Sequence, residues 1–183
     1  MKISHKLSVI PLALVMVFIA TSVIAEKKKT DYIPVSWNQL IPSEYDFEAL
    51  ENEVIGRYDL ETLEDDSPEA QTLIAELQAL QDKAPVTHEY DGIQVKIPGF
   101  VVPLDFEDEK IFSFLLVPYF GACIHTPPPP PNQIVYVELE QSIELDNTYE
   151  PIYVNGLMRV ERQESELGAA GYILYGHSIA PYL

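Results

Sequence analysis

From Asp91 onward, apolar and polar residues alternate. Ile93, Val95 and Ile97 fall on one face of an extended chain, with Gln94 and Lys96 on the other. Pro98-Gly99 interrupts the run and Phe100 to Leu104 resumes it, which predicts one strand with a bulge or sharp bend. Ile111 to Tyr119 reads as a second strand with apolar residues on both faces. Gln133 to Leu139 reads as a third and Pro151 to Val160 as a fourth, and a fifth begins at Gly171. Asn155-Gly156 would suit a hairpin turn. However, Val154-Asn155-Gly156-Leu157 echoes Ile97-Pro98-Gly99-Phe100, so the expectation is a continuous strand kinked at a glycine. Five bent strands in about 90 residues predict a small closed barrel, because closure removes exposed edges. The fold class expected is mainly β (α+β), a five-stranded OB-like barrel preceded by an N-terminal helical segment. The helix usual between the third and fourth strands of such a barrel has only the acidic stretch Glu140 to Glu150 available. Glu164 to Ala170 is the alternative place for a short helix.

Before Asp91 the period is that of a helix. Ser67 can cap it, Pro68 fits its first position, and Glu69 suits the positive end of its dipole. Leu73, Ile74, Leu77 and Leu80 recur at helical spacing up to Lys83, and Pro85 ends the run. This stripe is expected to pack on the β domain. Glu48 to Glu51 suggests a short helical turn. Val35 to Pro42 places Trp37 in an apolar patch expected to cover one end of the core. The organisation expected is a signal peptide over 1–25, an extension with one amphipathic helix over 26–85, and the barrel over 86–183.

The first residues change the picture of where the protein works. Lys2 and Lys6 precede the apolar run Leu7 to Val23, and Val23-Ile24-Ala25 offers a cleavage site before Glu26. The run is short of the roughly 20 residues that span a bilayer, and Pro11 interrupts it. The expectation is cleavage after Ala25, export to a bacterial periplasm and no stable membrane anchor afterwards. The chain has 183 residues with 11 Lys+Arg against 29 Asp+Glu, a net charge of −18. Nucleic acid is therefore an unsuitable partner, because binding a phosphate backbone needs clustered cations. Anionic headgroups are unsuitable for the same reason. The one cysteine, Cys123, excludes an internal disulfide.

The chemistry is concentrated in Pro118 to Gln133. Five prolines, Pro127, Pro128, Pro129, Pro130 and Pro131, lock a polyproline II rod without N–H donors. With Asn132, the rod forms a stiff bracket between strands two and three. It is either a rigid connection or a surface presented to an aromatic-lined groove of a partner. Cys123 and His125 project to the same side of an extended segment, and thiolate and imidazole are both zinc-type ligands. Zinc needs a third ligand. His177 is the first candidate, followed by His88, Glu89 and Asp91. The alternatives are a buried Cys beside a His bonded to backbone, and a thiolate–imidazolium nucleophile. The nucleophile reading lacks an Asn or Asp placed to orient the imidazole.

The run Ile97-Pro98-Gly99-Phe100-Val101-Val102-Pro103-Leu104, then Phe114 to His125 and Pro128 to Gln133, resembles the DUF3299 family of uncharacterised bacterial exported proteins. Trp37, Leu40 and Pro42 fit its N-terminal part. The resemblance implies a periplasmic accessory linked to ABC-type transport, with a zinc connection and a transporter subunit as partner. The reading from residues and resemblance together is a non-catalytic binding protein that handles zinc. The alternative is a metal-free interaction module docking through barrel and bracket.

Overall fold

The computed structural model describes residues 30–104, 106–107, 110–122, 128–144 and 149–182. Its centre is a closed barrel of five long strands. These are β2 (Gln94–Pro103), β4 (Lys110–Val117), β5 (Val135–Ile143), β6 (Ile152–Arg159) and β9 (Tyr172–Pro181). Their order around the barrel is β2-β6-β9-β5-β4, with β4 returning to β2. The β5–β9 pair is parallel and the other four pairs are antiparallel. That is the expected OB-like barrel.

Closure depends on β2 changing partners midway. Gln94 to Gly99 pair with β6, whereas Phe100 to Pro103 pair with β4. The switch falls at Pro98-Gly99, where the sequence breaks its alternation. A Cβ on Gly99 would lie 2.7 Å from Leu116 Cγ and 2.9 Å from the Val117 carbonyl oxygen. Gly156 plays the matching part in β6. Its Cβ would collide with the Tyr175 carbonyl oxygen, and the β6–β9 register shifts between Asn155 and Gly156. Both glycines sit where two backbones meet too closely for a side chain, and β6 is one kinked strand, as its sequence indicates.

Alternation fills the interior. Val95, Ile97, Phe114, Leu116, Val135, Val137, Val154, Met158, Tyr172 and Leu174 are fully buried in the main core. The intervening residues of β4, Leu115 and Val117, point outward yet are equally buried. They join Val102, Ala122, Ile134 and Ala170 in a second cluster. This explains the apolar residues on both faces of β4: the outer face of β2 and β4 is roofed by the bracket and by the segment ending at Ala170. That segment corrects one expectation. Glu164 to Ala170 is no helix but a hairpin of β7 (Gln163–Ser165) and β8 (Gly168–Ala170). Ser165 Oγ donates to the Gly168 carbonyl at 2.7 Å and accepts from Leu167 N–H at 3.3 Å, so the turn is held locally.

The N-terminal part closes one end of the barrel. β1 (Ile33–Pro34) adds to β2 in parallel, and Trp37–Leu40 forms a 3-10 turn. Trp37 Nε1 donates to the Pro98 carbonyl at 2.7 Å, and Leu40 is fully buried in the core, as expected of a covering element. Helix α1 (Phe47–Ile55) is longer than the short turn expected, and is capped by Asp46 accepting from Ala49 N–H. Helix α2 (Pro68–Asp82) starts as the sequence predicts, with Ser67 Oγ accepting from Ala70 N–H at 3.1 Å. Its chief neighbour is α1 rather than the barrel. Its buried residues are Ala70 and Leu73, while Ile74 is 51% exposed and lies off the packed stripe. A two-residue hairpin, β3 (Phe106–Glu107) with the start of β4, completes the sheet. Among the described residues no helix is long and apolar enough to cross a membrane.

Candidate functional site

The bracket between β4 and β5 is held at both ends. At its start Val117 closes β4, and five residues later Ala122 is fully buried in the second cluster. Phe120 stays half exposed between them, its ring 6.1 Å from Phe100 and 5.3 Å from Tyr149. Tyr119 beside it is also exposed.

At the far end, prolines cannot donate to one another, so their carbonyls need outside partners. The Pro128 carbonyl accepts from Gln81 Nε2 of α2 at 2.9 Å. The Pro131 carbonyl accepts from Gly171 N–H at 2.7 Å. Asn132 Nδ2 donates to the Pro85 carbonyl at 2.8 Å, and Gln133 Nε2 to the Trp37 carbonyl at 3.0 Å. The rod is thus fastened to α2, to the strand entering β9 and to the covering turn. Of the residues expected to face a partner, Pro128 is exposed and Pro130 half-buried, whereas Pro129, Pro131 and Asn132 turn into the protein. Pro127 lies outside the described residues, as do Cys123 and His125.

His177 lies on β9, with Nδ1 3.4 Å from the Tyr32 hydroxyl and Nε2 3.9 Å from Glu140 Oε1. It is five residues beyond Tyr172, about 16 Å farther along an extended strand than the end beside Ala170 and Ala122. The secondary candidates are placed apart from it. Asp91 is engaged by Arg159 Nε at 3.4 Å and by Val160 N–H at 3.1 Å. His88 and Glu89 line a surface cavity beside Tyr90. Among the described residues, no group of three or more His, Cys, Asp and Glu is arranged to hold a metal. The described part of the molecule therefore offers a His–Glu pair, and a thiol ligand would have to come from Cys123.

Sequence reasoning missed the anchors. Asn132-Gln133, two amides directly before a fully apolar strand start, were a readable signal of side-chain bonds to backbone. Gln81, on an otherwise solvated helix face, carried none.

The fold also bears on what the barrel can bind. OB barrels bind oligonucleotides and oligosaccharides on the face of their second and third strands. Here the second strand, β4, has its outer face roofed by Ala122, Leu167 and Ala170.

No curated protein matches the chain. It is similar to a crystal structure of a DUF3299 family protein from Pseudomonas aeruginosa, with 34% identity and a TM-score of 0.61 over 84% of this chain and 98% of that one. The family model described as "Protein of unknown function (DUF3299)" matches residues 37–181. With the barrel, the covering turn at Trp37 and the anchored bracket all inside that span, the chain belongs to the DUF3299 family.

Proposed function

We propose that this protein is an exported, non-catalytic periplasmic binding protein whose bracket offers Cys123 and His125 to zinc, as a metal-handling accessory of an ABC-type transport system. The observation that carries this reading is the anchoring of the bracket. Ala122, one residue before Cys123, is fully buried, and the Pro128 carbonyl, three residues after His125, is tied to α2. A soft thiol and an imidazole thus lie in the chain between two fixed points. The absence of a second cysteine suits an exchangeable site completed by imidazole, carboxylate or water, rather than a closed structural one. The acidic surface raises the local cation concentration, and the roofed outer face of β4 supports a role other than nucleic-acid binding. The transporter partner rests on the family resemblance.

Isothermal titration of the reduced protein with zinc tests the reading. One site per chain is expected, lost or greatly weakened in Cys123→Ser and in His125→Ala. His177→Ala distinguishes a chelate that includes β9 from one confined to the bracket. Equal zinc uptake by wild type and Cys123→Ser would instead favour the metal-free interaction module. The observation in favour of that module is the exposed Tyr119–Phe120 pair at the bracket's start.

A further inference from the structure

Strands β5 and β9 run side by side from Val135 opposite Tyr172 to Leu139 opposite Gly176, and then part. Beyond that point β9 continues along β6, with Ser178 opposite Asn155, while β5 next meets β4 at Ile143 opposite Ile111. The parting opens a cavity of about 300 Å3 whose wall includes Glu140, Gln141, Ser142, His177 and Ser178. Its outer rim is acidic and aromatic. Glu138 stands opposite Tyr175 in the parallel register, and Glu140 and His177 follow them on the same outer, exposed face. The Glu140 side chain is 74% exposed, and its ion-pair contact is His177 Nε2 at 3.9 Å. Among the described residues, neither carboxylate is in an ion pair with a lysine or arginine.

The start of the described chain lies at this same rim. The Tyr32 hydroxyl is 3.4 Å from His177 Nδ1, and the two rings are 6.4 Å apart. Just before it come three consecutive lysines, Lys27, Lys28 and Lys29, which lie outside the described residues. Lys29 precedes Tyr32 by three residues, about 10 Å of extended chain. The cations of the barrel and helices are engaged elsewhere: Arg57, Arg159 and Arg162 pair with Glu76, Asp91 and Glu164, and Lys96 lies over the Tyr153 ring. We propose that the segment 27–29 docks over the mouth of the β5–β9 cleft, with its ammonium groups on Glu138 and Glu140 and a lysine stem against the Tyr175 ring. Each exposed ion pair contributes little alone. The Tyr32 contact holds the lysines close to the carboxylates, which raises their effective concentration there, and the tyrosine ring adds attraction for a cation. The docking surface depends on neither Cys123 nor a metal.

The test compares amide NMR spectra of the labelled protein and of its Lys27→Gln/Lys28→Gln/Lys29→Gln variant at low ionic strength. Differences are expected at Glu138, Glu140, Tyr175 and His177, with α2 unchanged. Salt at about 0.5 M should move the wild-type signals toward those of the variant, because exposed pairs are screened. In a Glu138→Gln/Glu140→Gln background the lysine changes should no longer move Tyr175 or His177. Trypsin supplies a second readout. Cutting after residues 27–29 should quicken about threefold in Glu138→Gln/Glu140→Gln, the scale of two exposed ion pairs. Cutting after Arg57, between α1 and α2, should keep its rate and so report an intact fold. Unchanged signals at the four rim residues overturn the proposal, as does an unchanged rate of cutting after residues 27–29. Rim differences that grow with protein concentration would place the lysines of a second copy on the cleft, and would overturn docking within one chain.

Discussion

Single atoms hold separate parts of this chain together, and Tyr172 is the clearest case. Its hydroxyl accepts from Thr87 N–H at 2.8 Å and donates to the Leu40 carbonyl at 2.7 Å, joining β9 to the barrel's entry segment and to the covering turn. Tyr172→Phe leaves both backbone groups unsatisfied inside the protein. Urea unfolding should show a loss of about 2–3 kcal/mol. Burial, the main cause, pushes the Tyr172 hydroxyl from 10.0 up to about 12, with the Thr87 hydrogen bond pulling the other way. The unfolded chain ionises this group first, so the stability it confers is complete below about pH 10 and is lost as the pH rises toward 12. The stability gap between wild type and Tyr172→Phe should therefore narrow across that window; a constant gap would contradict the assignment. The two kink glycines differ in a testable way. Gly99→Ala meets the Leu116 side chain and, less closely, the Val117 carbonyl, whereas every atom that Gly156→Ala meets belongs to the backbone of the adjoining strand. Both should destabilise, by about 1–3 kcal/mol, with Gly156→Ala the larger in thermal melts.

At the level of elements, the helices and the barrel are unequal partners. Helix α2 packs mainly on α1 and reaches the rest of the protein through few bonds, such as Gln81 to Pro128 and Arg162 to the Asp82 carbonyl. Hydrogen exchange should show α1 and α2 opening together, faster than β4, β5 and β9. Ser67→Ala should speed α2 further, by the roughly 1 kcal/mol of a lost N-cap. Uniform protection across helices and barrel would refute this division. The elements legible in the sequence are those whose burial is periodic: the five barrel strands, whose inner faces alternate, and α2, whose cap and proline are local signals. The β7–β8 hairpin was hidden because Glu164 to Ala170 contains helix formers and little alternation. Its geometry comes from Ser165 and from Leu167 packing on the second cluster. β1 is too short for any period to register. Residue type alone makes Cys123 and His125 candidate ligands, and both lie outside the described residues. Choosing His177 as their companion required knowing how far along β9 it lies, which depends on strand register rather than local pattern.

For the whole molecule, the roofed OB-like barrel, the acidic surface and the anchored bracket suit the proposed role of an exported metal-handling protein. Export is checked by mass spectrometry of periplasmic fractions, where the chain should begin at Glu26; recovery of the full-length chain from membranes would contradict it. The central claim is thiolate ligation in the bracket, and cobalt reports it most directly because thiolate–cobalt bonds give a charge-transfer band in the near ultraviolet. Titrating the reduced protein with cobalt should raise that band to a one-to-one endpoint. The band should weaken as pH falls and the thiol regains its proton, disappear on adding zinc, and be missing in Cys123→Ser. Cobalt binding without the band, or an identical spectrum from Cys123→Ser, would show that the cysteine is not a ligand and would contradict the account.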